Sequence, residues 1–572
     1  ADSFSSIHFI RWQTTRRSSA GGFLLPDVDL RPVKIGLDEN TGCSLHWMHN
    51  RHLAGGWLMG RRTGGRMARV ALRRAPLAED RRPVQAGLSG GQYQPLSATD
   101  LDLIHEAVLR ILEEVGFAQA TPHCIETCTA FGAVLGKDGR LRMPRAVVEK
   151  ALSLCQREVT LYGQKPEYDI HLAGQKVHFA TAGAAVMLAD AEHDDYRDTN
   201  AQDLYDLARL TQECEYLSLF QRMCVLRDID DNHDMDQNTL YAALMGTSKP
   251  VGSSWSVAEH LAKSFQMLHL IAGSEAAWRA RPFVSQSNCF VVPPMKFAED
   301  ALDCLRLAVE GGMPVLLLSA AQAGATAPAN LAGATAQAWA ECLGGLVYVN
   351  AMQPGAPAIL GAWPFISDLR TGAMSGGSPE QGLLSAACMQ MGHYYNLPSG
   401  TACGMSDAKY PDFQAGAERA GNAMVAALSG ANIVYESAGM YASLLSCSKE
   451  SLLLDNDVLG SVLRVVRGIE VNEATLSVDI IKEVCCNGPG HYLGAARTLE
   501  VMQSEYIYPK FSDRDSPNEW TERGRPNLLD KAIRRKNEIL ANTFPDHISD
   551  EVDQAIRARF NIVLPRHAVG RS

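Results

Sequence analysis

Eight short apolar runs separated by segments of helical composition constrain this chain more than any other feature. The runs fall at 177–182, 217–225, 250–257, 282–292, 314–320, 357–363, 397–403 and 432–437. Between them lie helix-compatible stretches at 201–214, 258–272, 298–311, 330–343, 378–395 and 415–428. This alternation predicts parallel strands joined by crossover helices, and eight repeats predict closure into an α/β fold of the TIM-type (β/α)8 barrel. A doubly wound open sheet is the structural alternative. The barrel is expected over 176–440, after a helical N-terminal region over 67–175 and before a C-terminal helical extension over 441–572 that contributes to the site.

The N-terminal layer has its own signal. Leu101, Leu103, Ile104, Val108, Leu109, Ile111, Leu112 and Val115 recur at helical spacing, and Ser97 to Asp100 supplies N-cap candidates. Residues 1–66 differ: they are rich in Arg, Ser, Gly and Trp, have few carboxylates and no periodicity, and do not begin with Met. They are read as a disordered or non-native N-terminal extension, with Met67 resembling an ordinary start.

Composition excludes several function classes. A net charge of −11 argues against general nucleic-acid binding. No apolar run approaches the roughly 20 residues of a membrane span, so a cytoplasmic protein without membrane attachment is expected. The 14 cysteines are scattered without a disulfide framework, which suits a reducing compartment. Cys124 and Cys128 in HCIETC lack a second ligand pair, so no metal site is expected. No GxGxxG follows a strand and opens a helix, which leaves a Rossmann-type nucleotide site without support.

The 400–440 segment, GTACGMSDAKYPDFQAGAERAGNAMVAALSGANIVYESAGM, reads as strand end, polar loop, small-residue helix and strand. Further blocks are LIHEAVLRILEEVGF at 103–117, PANLAGATAQAWAE at 328–341, PGAPAILGAW at 354–363, DLRTGAMSGGSPE at 368–380, and GPGHYLG followed by SEYIYPKFSDR over 488–514. Together they resemble the corrinoid-dependent trimethylamine methyltransferase family from about residue 93 to about residue 542. The resemblance implies a barrel, and methyl transfer from a small methylated amine to the Co(I) of a corrinoid carried by a separate protein. Family members specific for trimethylamine carry pyrrolysine immediately before the SDxK run, where this chain has Met405. That departure points to a quaternary, betaine-type donor such as glycine betaine, proline betaine or carnitine, because a neutral tertiary amine then leaves without a pyrrolysine adduct. A trimethylamine methyltransferase and a non-catalytic quaternary-amine binding protein are the alternative readings, and a barrel lyase or hydrolase would need a metal or phosphate site.

In a parallel barrel the functional residues stand just beyond the strand C-termini. That rule selects Trp255, Asn288, Gln322, Trp363, Met405 to Asp412, and Tyr435 with Glu436. A quaternary ammonium cannot donate an ordinary hydrogen bond, and ring faces are its natural partner. Trp255, Trp363, Phe365 and Tyr410 are therefore cage candidates, with Lys409 and Glu436 beside them as substrate-binding groups. Asp407, Lys409 and Asp412 equally suit a loop-fixing network. His491 in GPGHYLG matches the family's GH(F/Y)L block, and with Met405 and Asp407 it completes the catalytic candidates. DNHDMD at 231–236 approaches the corrinoid-binding DxHxxG pattern but ends on Asp236, so the chain is expected to bind no corrinoid tightly by itself and to receive it from a partner protein. A homo-oligomer is compatible with the sequence.

Overall fold

The computed structural model describes residues 82–571 apart from Pro489 and the side chains of Asn288 and Asn487. The expected extension over 1–66 lies outside the described residues, as does the start of the 67–175 region.

Eight parallel strands form the barrel: β1 Lys176–Ala180, β2 Leu217–Gln221, β3 Val251–Ser253, β4 Val284–Cys289, β5 Val315–Ser319, β6 Ala358–Ala362, β7 Ser399–Ala402 and β8 Ile433–Tyr435. Each pairs with the next in parallel register, and β1 pairs with both β2 and β8, which closes the sheet. The strands are short, and β5 and β6 are buried along their whole length, as expected where both faces are covered.

Three helices precede the barrel: α1 Ala98–Arg110, α2 Pro122–Phe131 and α3 Arg145–Leu154. Ser97 opens α1 through a capping box, its side chain accepting from the Asp100 N–H while the Asp100 carboxylate accepts from the Ser97 N–H. Two short antiparallel ribbons, pairing 134–135 with 141–142 and 159–161 with 170–172, accompany these helices.

Within the barrel the longer helices are α4 Ala201–Gln212, α5 Asn232–Gly246, α6 Ala258–Ala272, α7 Glu299–Glu310, α8 Leu331–Met352, α9 Pro379–Tyr395 and α10 Phe413–Leu428, followed after β8 by α11 Lys449–Arg467. The sequence LAGATAQAWAECLGGLVYVNAM of α8 is apolar on nearly every face and buried from Ala334 to Asn350. Its outer face is covered by α1, α2 and α3, which explains why a barrel helix can lack a polar side.

α11 packs against both α10 and α4, taking the place of the eighth barrel helix, so the helical ring continues past residue 440. Buried charge holds it there. Arg419 of α10 pairs with Asp455 of α11, and Lys449 of α11 reaches Asp206 at 2.7 Å and Asp203 at 3.0 Å on α4. Four short helices follow, within 473–522, and then two longer ones, α12 Leu528–Asn542 against α11 and α4, and α13 Asp550–Arg557 against α6. No helix among the described residues is long and apolar enough to cross a membrane.

Candidate active site

A cavity of about 500 Å3 opens at the C-terminal ends of the barrel strands, lined among others by Gln221, Arg222, Trp255, Trp363, Phe365 and Glu436. These are the positions where β2, β3, β6 and β8 give way to their loops, the face on which barrels carry chemistry. Local packing explains how the floor is shaped. A Cβ at Gly252 would come within 1.6 Å of Gln221 Oε1, so glycine at this point of β3 leaves the room that the Gln221 side chain occupies.

Glu436 is the most perturbed group in the cavity. It is 3% exposed, adopts a left-handed backbone with φ of 58°, and accepts the Gly183 N–H through Oε2 at 2.9 Å. Burial without a cationic partner pushes its carboxyl up to about 8, against the smaller opposing effect of the Gly183 hydrogen bond. Left-handed backbone at a non-glycine residue costs on the order of 1–3 kcal/mol and concentrates at functional sites.

The rings around it are fixed by packing. Trp363 lies with its ring centroid 4.9 Å from that of Tyr435, and its indole N–H is buried without a partner. The Trp255 N–H donates to Ser264 Oγ at 2.9 Å, which holds that ring at the end of β3. Phe365 is 4% exposed and belongs to a short strand pair with Gln322–Ala323 outside the barrel sheet.

Arg222 and Asp236 line the same cavity. Burial holds Asp236 above the usual carboxylate range, partly offset by the 2.8 Å contact of its Oδ2 with His260 Nδ1. Burial also lowers the Arg222 pKa, with the charge of Asp236 acting in the opposite direction. Sequence reasoning missed both residues. The apolar run over 217–225 predicts one strand, whereas β2 ends at Gln221 and places Arg222 on the rim; the polar QR pair inside that run is the available signal. Asp236 sits in DNHDMD, which is the start of α5: Asp231 caps the helix by accepting the Asp234 N–H at 2.9 Å.

The remaining candidates sit elsewhere. Met405 is fully buried and packs beneath Gly376, where an added Cβ would meet its Sδ at 2.4 Å; it is not among the cavity-lining residues. Asp407 ties three loops together, accepting from Ser375 Oγ at 2.8 Å, Gly376 N at 2.8 Å and Ser443 Oγ at 2.7 Å. Lys409 is exposed and donates to the Asp407 carbonyl at 2.6 Å, and Tyr410 is 44% exposed; both border a small separate hollow with Tyr196. Asp412 caps α10. His491 lies on an exposed turn and does not line the cavity. Gln322 bonds Ser367 at 3.1 Å, and the Asn288 side chain lies outside the described residues.

Residues 62–562 match the family model for trimethylamine methyltransferase (MTTB). The chain belongs to this family. A glycine betaine methyltransferase of Desulfitobacterium hafniense (strain Y51) is 30% identical, over 82% of this chain and 96% of that protein. A trimethylamine methyltransferase of Desulfitobacterium hafniense (strain DSM 10664 / DCB-2) is 28% identical over 87% of this chain and 100% of its own length. A trimethylamine methyltransferase of Methanosarcina thermophila is 29% identical, over 80% of this chain and 94% of that protein. The protein is thus a methyltransferase of this family.

Proposed function

We propose that the protein transfers a methyl group from a quaternary, betaine-type amine to the Co(I) of a corrinoid carried by a separate protein. Identity to relatives does not select the donor, since glycine betaine and trimethylamine enzymes lie within two percentage points of each other, at 30% and 28%. The observation that carries the reading is Glu436: a buried carboxylate without a cation, in a cavity walled by Trp255, Trp363 and Phe365. A trimethylated nitrogen supplies the missing charge, and its methyl groups pack against ring faces. A quaternary donor also fits Met405, whose thioether offers no electrophilic carbon for capturing a tertiary amine.

The Co(I) corrinoid supplies the nucleophile. This chain's residues hold the donor, orient one methyl group toward the mouth of the cavity and keep water away, so positioning supplies most of the rate. The leaving group is a neutral tertiary amine and needs no proton from the protein. The residues of DNHDMD serve as the cap and first turns of α5, with Asp236 engaged by His260, a use that supports corrinoid supply in trans. His491, exposed on its turn, is placed by this reading as a contact for the incoming corrinoid protein. Such a reaction belongs in a reducing compartment, consistent with thirteen free cysteines among the described residues.

Calorimetric titration tests the cage. Glycine betaine should bind at least about tenfold more tightly than 3,3-dimethylbutanoate, its neutral-headed isostere, because cation–π attraction and ion pairing are lost together. Equal binding of the two would remove cation recognition from the cavity.

A further inference from the structure

The cavity contains two hydrogen-bond donors that the protein leaves unanswered. Arg222 lines it at the end of β2, and among the described residues its guanidinium joins no hydrogen bond or ion pair. The Trp363 indole N–H is buried and also without a partner. Asp236, the acid whose charge reaches Arg222, is instead bonded to His260 at 2.8 Å. A guanidinium in a site sheltered from water is matched by a carboxylate or a similar anion in fork geometry.

A quaternary ammonium satisfies neither donor, since its nitrogen has no lone pair to offer. A simple cation beside Glu436 would therefore balance one buried charge and leave the other exposed to the full cost of desolvation. A zwitterion balances both at once, with its ammonium against Glu436 and the rings of Trp255, Trp363 and Phe365, and its carboxylate against Arg222. We infer that Arg222 is the carboxylate-recognition residue of this enzyme, and that it restricts the donor to quaternary amines bearing a carboxylate, excluding choline-type alcohols and tetraalkylammonium ions. The inference rests on the quaternary-amine reading of the cavity and adds the second half of the ligand.

The test uses the full chain and three probes: glycine betaine, its methyl ester and tetramethylammonium, titrated calorimetrically. The ester keeps the ammonium and removes the anion, so the wild-type protein tests the inference without any substitution. Wild type should bind the acid about 10- to 100-fold more tightly than the ester, the range expected for a charged hydrogen bond. Arg222→Gln should abolish that preference while leaving the ester's affinity unchanged, and Arg222→Lys should restore part of it. Equal binding of acid and ester by the wild type would overturn the role of Arg222 yet leave the quaternary-amine reading standing. The same holds for an Arg222→Gln protein that weakens both probes alike, or that binds normally and is slowed only with the corrinoid partner. Failure of all three probes to bind would overturn both readings.

Discussion

Glu436 Oε2 accepts the backbone N–H of Gly183 at 2.9 Å, which ties the residue leaving the last barrel strand to the loop leaving the first. The contact gives the carboxylate one donor and no counter-charge, inside the cavity that the proposed function assigns to a quaternary amine. Geometry is tight at this point: a Cβ on Gly183 would lie 3.0 Å from Glu436 Oε1.

This relationship sets a pH dependence. The Glu436 carboxyl is raised from 4.5 to about 8 in the folded protein, so its contribution to stability is full below pH 4.5 and is lost as pH rises through about 8. A cation in the cavity favours the ionised form. Quaternary-amine binding should therefore release a proton below pH 8 and tighten as pH rises from 6 to 8. Titration in buffers of different ionisation enthalpy measures the proton directly. Glu436→Gln should remove the proton release and the Glu436 share of the pH dependence of ligand-free stability, whereas an unchanged pH profile in a folded Glu436→Gln protein would show that another group titrates.

Gly252→Ala should displace the Gln221 side chain, because the new methyl would stand 1.6 Å from Gln221 Oε1. Gln221 Nε2 also bonds Ser287 Oγ across the cavity floor. The expected outcome is a loss of about 1–3 kcal/mol in denaturant unfolding, the usual range for overpacking. Amine affinity should weaken with it; stability equal to wild type would mean that the floor adapts.

Asp407→Ala removes the acceptor shared by Ser375, Gly376 and Ser443. Stability should fall by about 1–3 kcal/mol, as for lost hydrogen bonds to a charged group. The Kd for a quaternary amine, measured on the folded fraction at low temperature, should change much less. A stable variant that no longer binds the amine would move Asp407 from loop support to substrate contact.

The barrel was legible in sequence because short parallel strands, buried on both sides, read as separate apolar runs, and each of the eight expected runs overlaps a barrel strand. Helix α5 was not, since its opening DNHDMD is polar and its later face is buried on all sides, which leaves weak amphipathic contrast. The end of α8 was cut short because LVYVNAM suits a strand as well as a buried helix. At the site, Trp255, Trp363, Phe365 and Glu436 could be found by counting past strand ends. Arg222 could not, because Val225 extended the apparent strand beyond its true end at Gln221. Lys409 and Tyr410 were drawn in by a loop whose polarity serves capping and cross-loop hydrogen bonds rather than the cavity.

His491→Ala should leave quaternary-amine affinity unchanged, since His491 does not line the cavity, and should slow methyl transfer to the corrinoid protein by about 10- to 1000-fold, as for a lost contact in the assembled site. Single-turnover rates with saturating amine and varied corrinoid protein separate the two effects. Unchanged rates at every partner concentration would take His491 out of the reaction.

The most direct measurement is consumption of Co(I) by the purified protein with its corrinoid partner, given glycine betaine, proline betaine, carnitine or trimethylamine in turn. At least one carboxylated quaternary amine should be demethylated, with the tertiary amine appearing in equal amount, and trimethylamine should give no turnover, because Met405 offers no adduct-forming carbon. Rapid turnover of trimethylamine with none from the three betaines would contradict the assignment.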